Sequence, residues 1–292
     1  MTKNGKTFVS VVMITYGHEK FIEEAINGVL MQECNFYFEL IIANDCSPDN
    51  TDELINNIIK SHPKAHKIRY LKQNVNVGMM PNFIDAINYG MGKYIALCEG
   101  DDYWVDPLKL QKQIDFLEAN PEFNFSMGRV DVLMQKSGEI KKMIEHVNPN
   151  IKEIYTLKDY IKNPFSQTSS FVFRNSKEPF PDWFYNVHAG DQSLVILKTG
   201  ITAKIKYHKD LFSIYRVNES SVSFDLDLKK LKKRGDFFLD NINEFTSYKY
   251  NYIIVIRKFI NKLYSYSRSK NLIVKYPSLI LYRLLFNLVQ KL

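Results

Sequence analysis

Glu99, Gly100, Asp101 and Asp102 follow directly on Tyr94-Ile95-Ala96-Leu97-Cys98, an apolar run that reads as a short buried strand. Three carboxylates within four residues repel one another, and at a strand end they are costly unless a cation or a set of donors lies among them. Hard divalent ions take oxygen ligands, commonly one or two carboxylates together with substrate phosphates. In an open α/β sheet, ligands bind beyond the carboxyl ends of the strands. The alternative is a solvated acidic turn ahead of a helix, with Asp106 as N-cap and Pro107 at the first helical position.

The elements that must position these acids follow in order. Phe8–Thr15 reads as a first buried strand. Phe21, Ile22, Ala25, Ile26, Val29 and Leu30 recur at helical spacing. Phe38–Ala43 is a second strand ending in the polar run Asn44 to Thr51, and Leu54, Ile55, Ile58 and Ile59 mark the next helix. Ile68–Leu71 is a third strand, a loop through Gly78 leads to a helix over 82–89, and the strand ending at Glu99 closes the series. Strand and helix alternating three times predict a mostly parallel sheet flanked by helices. Parallel connectivity brings the ends at Thr15-Tyr16, Asn44-Asp45 and Asp101-Asp102 to one edge.

Beyond this, 109–120 reads as a helix closed by Pro121, and 123–134 as strand. Residues 138–154 read as a loop or hairpin. Asp191 falls in or near the first turn of a helix running through Leu197, and 201–207 and 211–215 read as two strands.

Composition narrows the class. The 292 residues are 45% hydrophobic, enough for a sizeable core. Cys34, Cys46 and Cys98 are odd in number, without metal-ligand spacing, and fit buried free thiols in a reducing compartment. No secretory signal opens the chain, and no run of roughly 18 apolar residues marks a membrane span. The expectation is a cytoplasmic protein. The net charge of +7 is uneven: residues 225–292 carry 14 Lys+Arg against 5 Asp+Glu, and the remainder is close to neutral. That excludes a nucleic-acid-binding surface spread over the whole chain and directs attention to a local anionic partner.

Taken together, Ser10 to Tyr16, Asn44 to Thr51, Asn76-Val77-Gly78, Glu99 to Trp104 and Gly190-Asp191-Gln192 resemble, in one consistent order over 7–223, a family 2 glycosyltransferase. The resemblance implies the GT-A fold, a Rossmann-like, mostly parallel central sheet, here with a helical C-terminal extension. It places the catalytic domain at 1–224; outside the match, 225–292 reads from its residue pattern as a basic amphipathic helical region. It implies an inverting sugar transfer from a nucleotide-sugar donor, UDP-linked by expectation, to a hydroxyl of a glycan or lipid-linked acceptor in bacterial surface polysaccharide synthesis.

The roles it carries over are specific. Thr15, Tyr16, Glu19 and Gly78 belong to the nucleotide site, and Asp45 accepts from the base. Asp102 ligates Mn2+ or Mg2+, with Asp101 on ribose or metal. Arg216 pairs with the diphosphate. Asp191 is the catalytic base, with Gly190 where an acid usually stands. Trp104, Gln167, Thr168 and His188 line the donor-sugar or acceptor pocket. Bland alternatives stand beside these: a helix-terminal acid at Asp191, a surface ion pair at Arg216, a structural histidine at 188. Glu99 and Asn218 have no assigned role.

Two other functions compete. A nucleotidyltransferase would share the sheet and acids, yet Thr15 to Glu19 lacks the glycine- and lysine/arginine-rich loop that grips a triphosphate. A non-catalytic nucleotide-sugar-binding module would keep the cleft and lack turnover. In the C-terminal region, Ile253, Ile254, Ile256, Phe259, Ile260, Leu263 and Tyr264 oppose Arg257, Lys258, Asn261, Lys262 and Ser265. Leu281, Leu284, Leu285, Leu288 and Val289 oppose Arg283, Asn287 and Gln290. Such faces pack on the body or a second subunit, or lie on the inner face of an anionic membrane.

Overall fold

The computed structural model describes residues 8–142, 151–165, 167–187, 190–217 and 228–267, together with Ser278 and Leu281. His188, Asn218, the expected division after residue 224 and most of the second amphipathic stretch lie outside the described residues.

The first half follows the expected alternation. Strands β1 (Val9–Thr15), β2 (Phe38–Asn44), β3 (Ile68–Lys72) and β4 (Tyr94–Leu97) pair in parallel in the order β3-β2-β1-β4. Helices α1 (Ile22–Leu30), α2 (Thr51–Ser61) and α3 (Met79–Tyr89) connect them. Alternation along β1 builds both faces of the sheet. Val9, Val11 and Met13 pack with α1, and Val12 packs with α3. In α1, buried Ile22, Ala25, Ile26, Val29 and Leu30 form the stripe that seats the helix.

The register fixes the working edge. Thr15 pairs with Asn44, and Asn44 with Lys72. Past the end of β4, the Cys98 and Gly100 amides donate to the Val12 and Ile14 carbonyls at 3.1 and 3.0 Å. The acidic turn is therefore laid alongside the end of β1.

Beyond β4 the sheet becomes mixed. It continues through β9 (Val172–Arg174), β6 (Phe123–Met134), β10 (Lys204–Val217) and β5 (Tyr103–Trp104), with β7 (Glu139–Lys142) forming a hairpin on β6 and β8 (Ile154–Thr156) pairing with β10. Between these strands lie α4 (Lys109–Ala119), α5 (Leu157–Lys162) and α6 (Gly190–Thr199), and the chain continues into α7 (Leu228–Phe245) and α8 (Asn251–Ser267).

Four local expectations are corrected. The two strands expected at 201–207 and 211–215 are one, β10, which stays paired with β6 across register shifts between His208 and Ser213. Helix α3 starts at Met79, three residues earlier than expected. Pro81 sits in its first turn, where a missing N–H costs nothing, and Gly78 enters the helix at φ +93°. Helix α4 begins at Lys109, so Asp106 stands ahead of its N-cap. Its Oδ1 accepts from the Leu108 amide at 2.9 Å, and its Oδ2 pairs with Lys112.

The fourth concerns the C-terminal helices. Phe238, Leu239 and Ile242 of α7, with Tyr250, Ile253 and Ile254, join the core cluster that contains Tyr160, Phe165, Leu194 and Ile205. These faces pack on the body of the sheet, one of the expected alternatives, and the correction concerns two single residues. Arg257, expected on the polar face, is half-buried and donates to the Ile161 carbonyl at 2.8 Å. Phe259, expected on the buried face, is 46% exposed.

Candidate active site

One cavity of about 710 Å³ opens at the carboxyl edge of the parallel strands. Its wall includes Thr15, Tyr16, Asp45, Gly78, Glu99, Asp101, Asp102, Gln167, Thr168 and Asp191, which come from six separate segments of the chain. Of the residues singled out in the sequence, those ten are brought together. Glu19, Trp104 and Arg216 are not.

Asp45 follows β2, with its amide on the Thr15 carbonyl at 3.0 Å. Its two oxygens accept from the amides of Val77 and Gly78 at 2.8 and 3.0 Å. The positive φ of Gly78 aims that amide at the carboxylate, so Gly78 holds Asp45 from the N-terminus of α3. Each oxygen keeps a further lone pair for a ligand donor. Tyr16 stands at the rim, 48% exposed, its ring uncovered for stacking.

The β1–α1 and β2–α2 loops are zipped together. The Gly17, His18 and Glu19 amides donate to Ser47 Oγ, Thr51 Oγ1 and Asp49 Oδ2, at 3.1, 2.9 and 3.0 Å. Glu19 Oε2 accepts from the backbone and side chain of Asn50. Glu19, expected at the nucleotide, is therefore a loop fastener.

The acidic turn holds its carboxyls unequally. Asp102 is buried. Its Oδ1 accepts from the Arg216 amide at 3.0 Å, and Ser169 supplies a side-chain hydrogen bond. Burial, then the charges of Asp101 and Glu99, push its carboxyl well above the usual range. Asp101 is the more accessible acid, its Oδ2 3.9 Å from His18 Nε2. Glu99 is enclosed. It bonds to Thr168, yet its Oε2 has no partner among the described residues. Burial, followed by the neighbouring Asp101 charge, pushes Glu99 up to about 8, with Asp191 adding to the rise. An enclosed, unpartnered carboxylate oxygen beside two more acids is a donor set that fits a hard divalent cation. Among the described residues no three His, Cys, Asp or Glu side chains converge closely enough to hold a metal unaided. Glu99 and Asp101 could hold one together with a substrate diphosphate.

Asp191 lies in the first turn of α6 and borders the same cavity. A Cβ at position 190 would come 3.1 Å from the Met80 sulfur. A side chain there would press on the end of the Met80 side chain of α3.

Trp104 and Arg216 are corrected. Trp104 is 2% exposed; its Nε1 donates to the Ser169 carbonyl at 2.7 Å and its ring lies 4.0 Å beneath Lys109 Nζ. It is core, not a pocket floor. The Arg216 guanidinium pairs with Glu24 and Gln135, between the rings of Phe21 and Tyr103. It points away from the cavity because α1 supplies the counter-charge.

Asn76, quoted in the motif but given no role, also lines the wall, and sequence reasoning missed His18, Met80, Phe83 and Tyr215 there. His18 had a signal: it follows the first strand end by three positions. Met80, Phe83 and Tyr215 depend on which face of α3 or β10 turns inward.

Glycosyl transferase family 2 matches residues 10–178, more than half of the chain, and the chain belongs to that family. An uncharacterized protein of Mycobacterium tuberculosis is 33% identical over 198 residues, covering 65% of this chain and 56% of that protein. The chain thus spans a little over half the length of the curated relatives it matches first. The Escherichia coli protein WfgD, a UDP-Glc:alpha-D-GlcNAc-diphosphoundecaprenol beta-1,3-glucosyltransferase, is 26% identical over 260 residues, covering 85% of this chain and 92% of WfgD. The structure of Staphylococcus aureus TarS residues 1–349 with UDP-GlcNAc superposes with a TM-score of 0.69 at 16% identity, over 97% of this chain and 81% of that one. That likeness establishes a GT-A fold.

Proposed function

We propose that this chain is an inverting glycosyltransferase that moves a sugar from a nucleoside diphosphate donor, UDP-linked, to a hydroxyl of a glycan or lipid-linked acceptor of a bacterial surface polysaccharide. The observation that carries this is the gathering of Asp45, Glu99, Asp101 and Asp191 round one cavity. The names of WfgD and of the TarS complex favour a UDP-sugar.

Tyr16 stacks on the base and Asp45 accepts from it. Glu99 and Asp101 would hold Mn2+ or Mg2+ together with the diphosphate, with Asp102, expected as the principal ligand, behind them as the acid that anchors the turn. The cation, when bound, offsets charge on the departing diphosphate. Asp191 takes the proton of the acceptor hydroxyl while that oxygen attacks the anomeric carbon. The new C–O bond forms as the bond to the diphosphate breaks, and configuration inverts. Gln167 and Thr168 face the sugar.

Asp191→Asn tests the assignment. Turnover should fall by about 100-fold or more, with UDP affinity by calorimetry retained. Unchanged turnover would remove Asp191 as base, and wild-type protein that binds nucleotide sugars without turning any over would leave a binding module.

A membrane contact is a second reading for the basic C-terminal region, favoured by exposed Tyr252, Val255 and Phe259 on α8. Among the described residues no helix is long and apolar enough to cross a membrane. Co-sedimentation with anionic vesicles that is unchanged on removing 250–292 would end it.

A further inference from the structure

We propose that Asn44 is the positioning residue for the nucleotide base: its side-chain amide sets both Tyr16 and Asp45, and through Asp45 it fixes a preference for uracil. The inference rests on the reading above, in which those two residues hold the base of a UDP-linked donor.

Asn44 ends β2 between Thr15 of β1 and Lys72 of β3, and it is wholly buried. Its Oδ1 accepts from both the amide and the hydroxyl of Ser47, at 2.9 and 2.7 Å. Asp45 and Cys46 are thereby gathered into a tight loop. Cys46 stands at φ +57°, a region that side chains disfavour and that persists only where the surroundings impose it. The Asn44 clamp imposes it, and Asp45 lies inside the same loop.

The Ser47 hydroxyl carries the effect to the neighbouring loop. By donating its proton to Asn44 it leaves a lone pair for the Gly17 amide, which donates to it at 3.1 Å. Gly17, at φ +71°, directly follows Tyr16, so this bond sets where the Tyr16 ring stands. On the far side, Asn44 Nδ2 donates to the Tyr70 hydroxyl at 2.8 Å. That hydroxyl donates to Asp52 Oδ1, and Asp52 Oδ2 pairs with Lys72. Donors at Oδ1 and an acceptor at Nδ2 fix which way the amide faces.

The consequence is selectivity. Uracil presents an imide N–H that the Asp45 carboxylate accepts. Cytosine presents a bare ring nitrogen at the same place, and lone pairs then oppose each other. Stacking on Tyr16 tolerates either ring.

Calorimetry with UDP and with CDP is the test. The wild type should prefer UDP by about tenfold or more, because cytosine leaves the carboxylate without its donor. In Asn44→Ala, with a melting curve that shows a folded protein, that preference should shrink by about fivefold or more. Ser47→Ala keeps the amide half of the clamp and loses the Gly17 bond, so its UDP and CDP affinities should fall together, by about threefold. A folded Asn44→Ala with the wild-type preference, or Ser47→Ala with the wild-type UDP affinity, would overturn the proposal and leave the donor reading in place. Equal wild-type affinity for UDP and CDP would overturn it together with Asp45 as the base acceptor. A wild type that binds no nucleoside diphosphate would remove the donor reading and this inference with it.

Discussion

The main-chain amide of Arg216 donates to Asp102 Oδ1 at 3.0 Å, joining residues 114 positions apart. This bond ties the end of the longest strand, β10, to the acidic turn, and it makes Asp102 an anchor before it is anything else. Asp102→Asn keeps an acceptor oxygen and removes a buried negative charge that burial and two neighbouring acids oppose. Its thermal midpoint should equal or exceed that of the wild type. Asp102→Ala leaves the Arg216 amide without its acceptor and should cost about 1–3 kcal/mol. Denaturant melts of the two variants check the order; an Asn variant as unstable as the Ala variant would deny the anchoring role.

The guanidinium of the same Arg216 faces the other way. It is buried, paired with Glu24 of α1, and flanked by Phe21 and Tyr103 at 5.2 and 4.6 Å from the ring centroids. Glu24→Gln removes its counter-charge and should destabilise the fold by about 1–3 kcal/mol, below the range for fully buried pairs because Glu24 is half-exposed. UDP affinity should not move. A Glu24→Gln protein of unchanged stability and weakened UDP binding would place the guanidinium in the donor site after all.

These two findings also show what the sequence could and could not convey. The parallel half was legible because each strand is a short apolar run ended by polar residues and each helix an apolar stripe. Asp45, Asp101 and Asp191 therefore appear on one edge from connectivity and the family motifs. The mixed half was harder to read. His208-Lys209-Asp210 interrupts the apolar pattern of β10, and a bulged strand then looks like two. Arg216 and Glu19 lie outside the cavity wall, and the sequence does not tell this, because a charged residue in a conspicuous loop looks the same whether its partner is a phosphate or another loop. Only coordinates supply Glu24 and Asn50 as the partners. The bond from Arg257 to the Ile161 carbonyl depends likewise on α8 reaching the end of α5, a contact remote in sequence.

Lys109 offers a pH test away from the cleft. Its ammonium is enclosed, donates to Gln113 Oε1 at 2.8 Å and lies over the Trp104 ring. Burial pulls it down to about 7 from an ordinary 10.5. Below pH 7 both folded and unfolded chains carry the proton, and the folded state bears the full desolvation penalty. Between pH 7 and 10.5 the unfolded state binds the extra proton, so this group's share of stability rises with pH and is lost as pH falls through 7. Lys109→Met removes the penalty while filling similar volume. The variant's thermal midpoint should exceed the wild type's at pH 6, and the gap should shrink steadily from pH 7 to pH 10. Glu99 titrates alike in both proteins and cancels in the difference. A gap that stays constant across that range would mean that Lys109 keeps its ordinary proton affinity in the folded state.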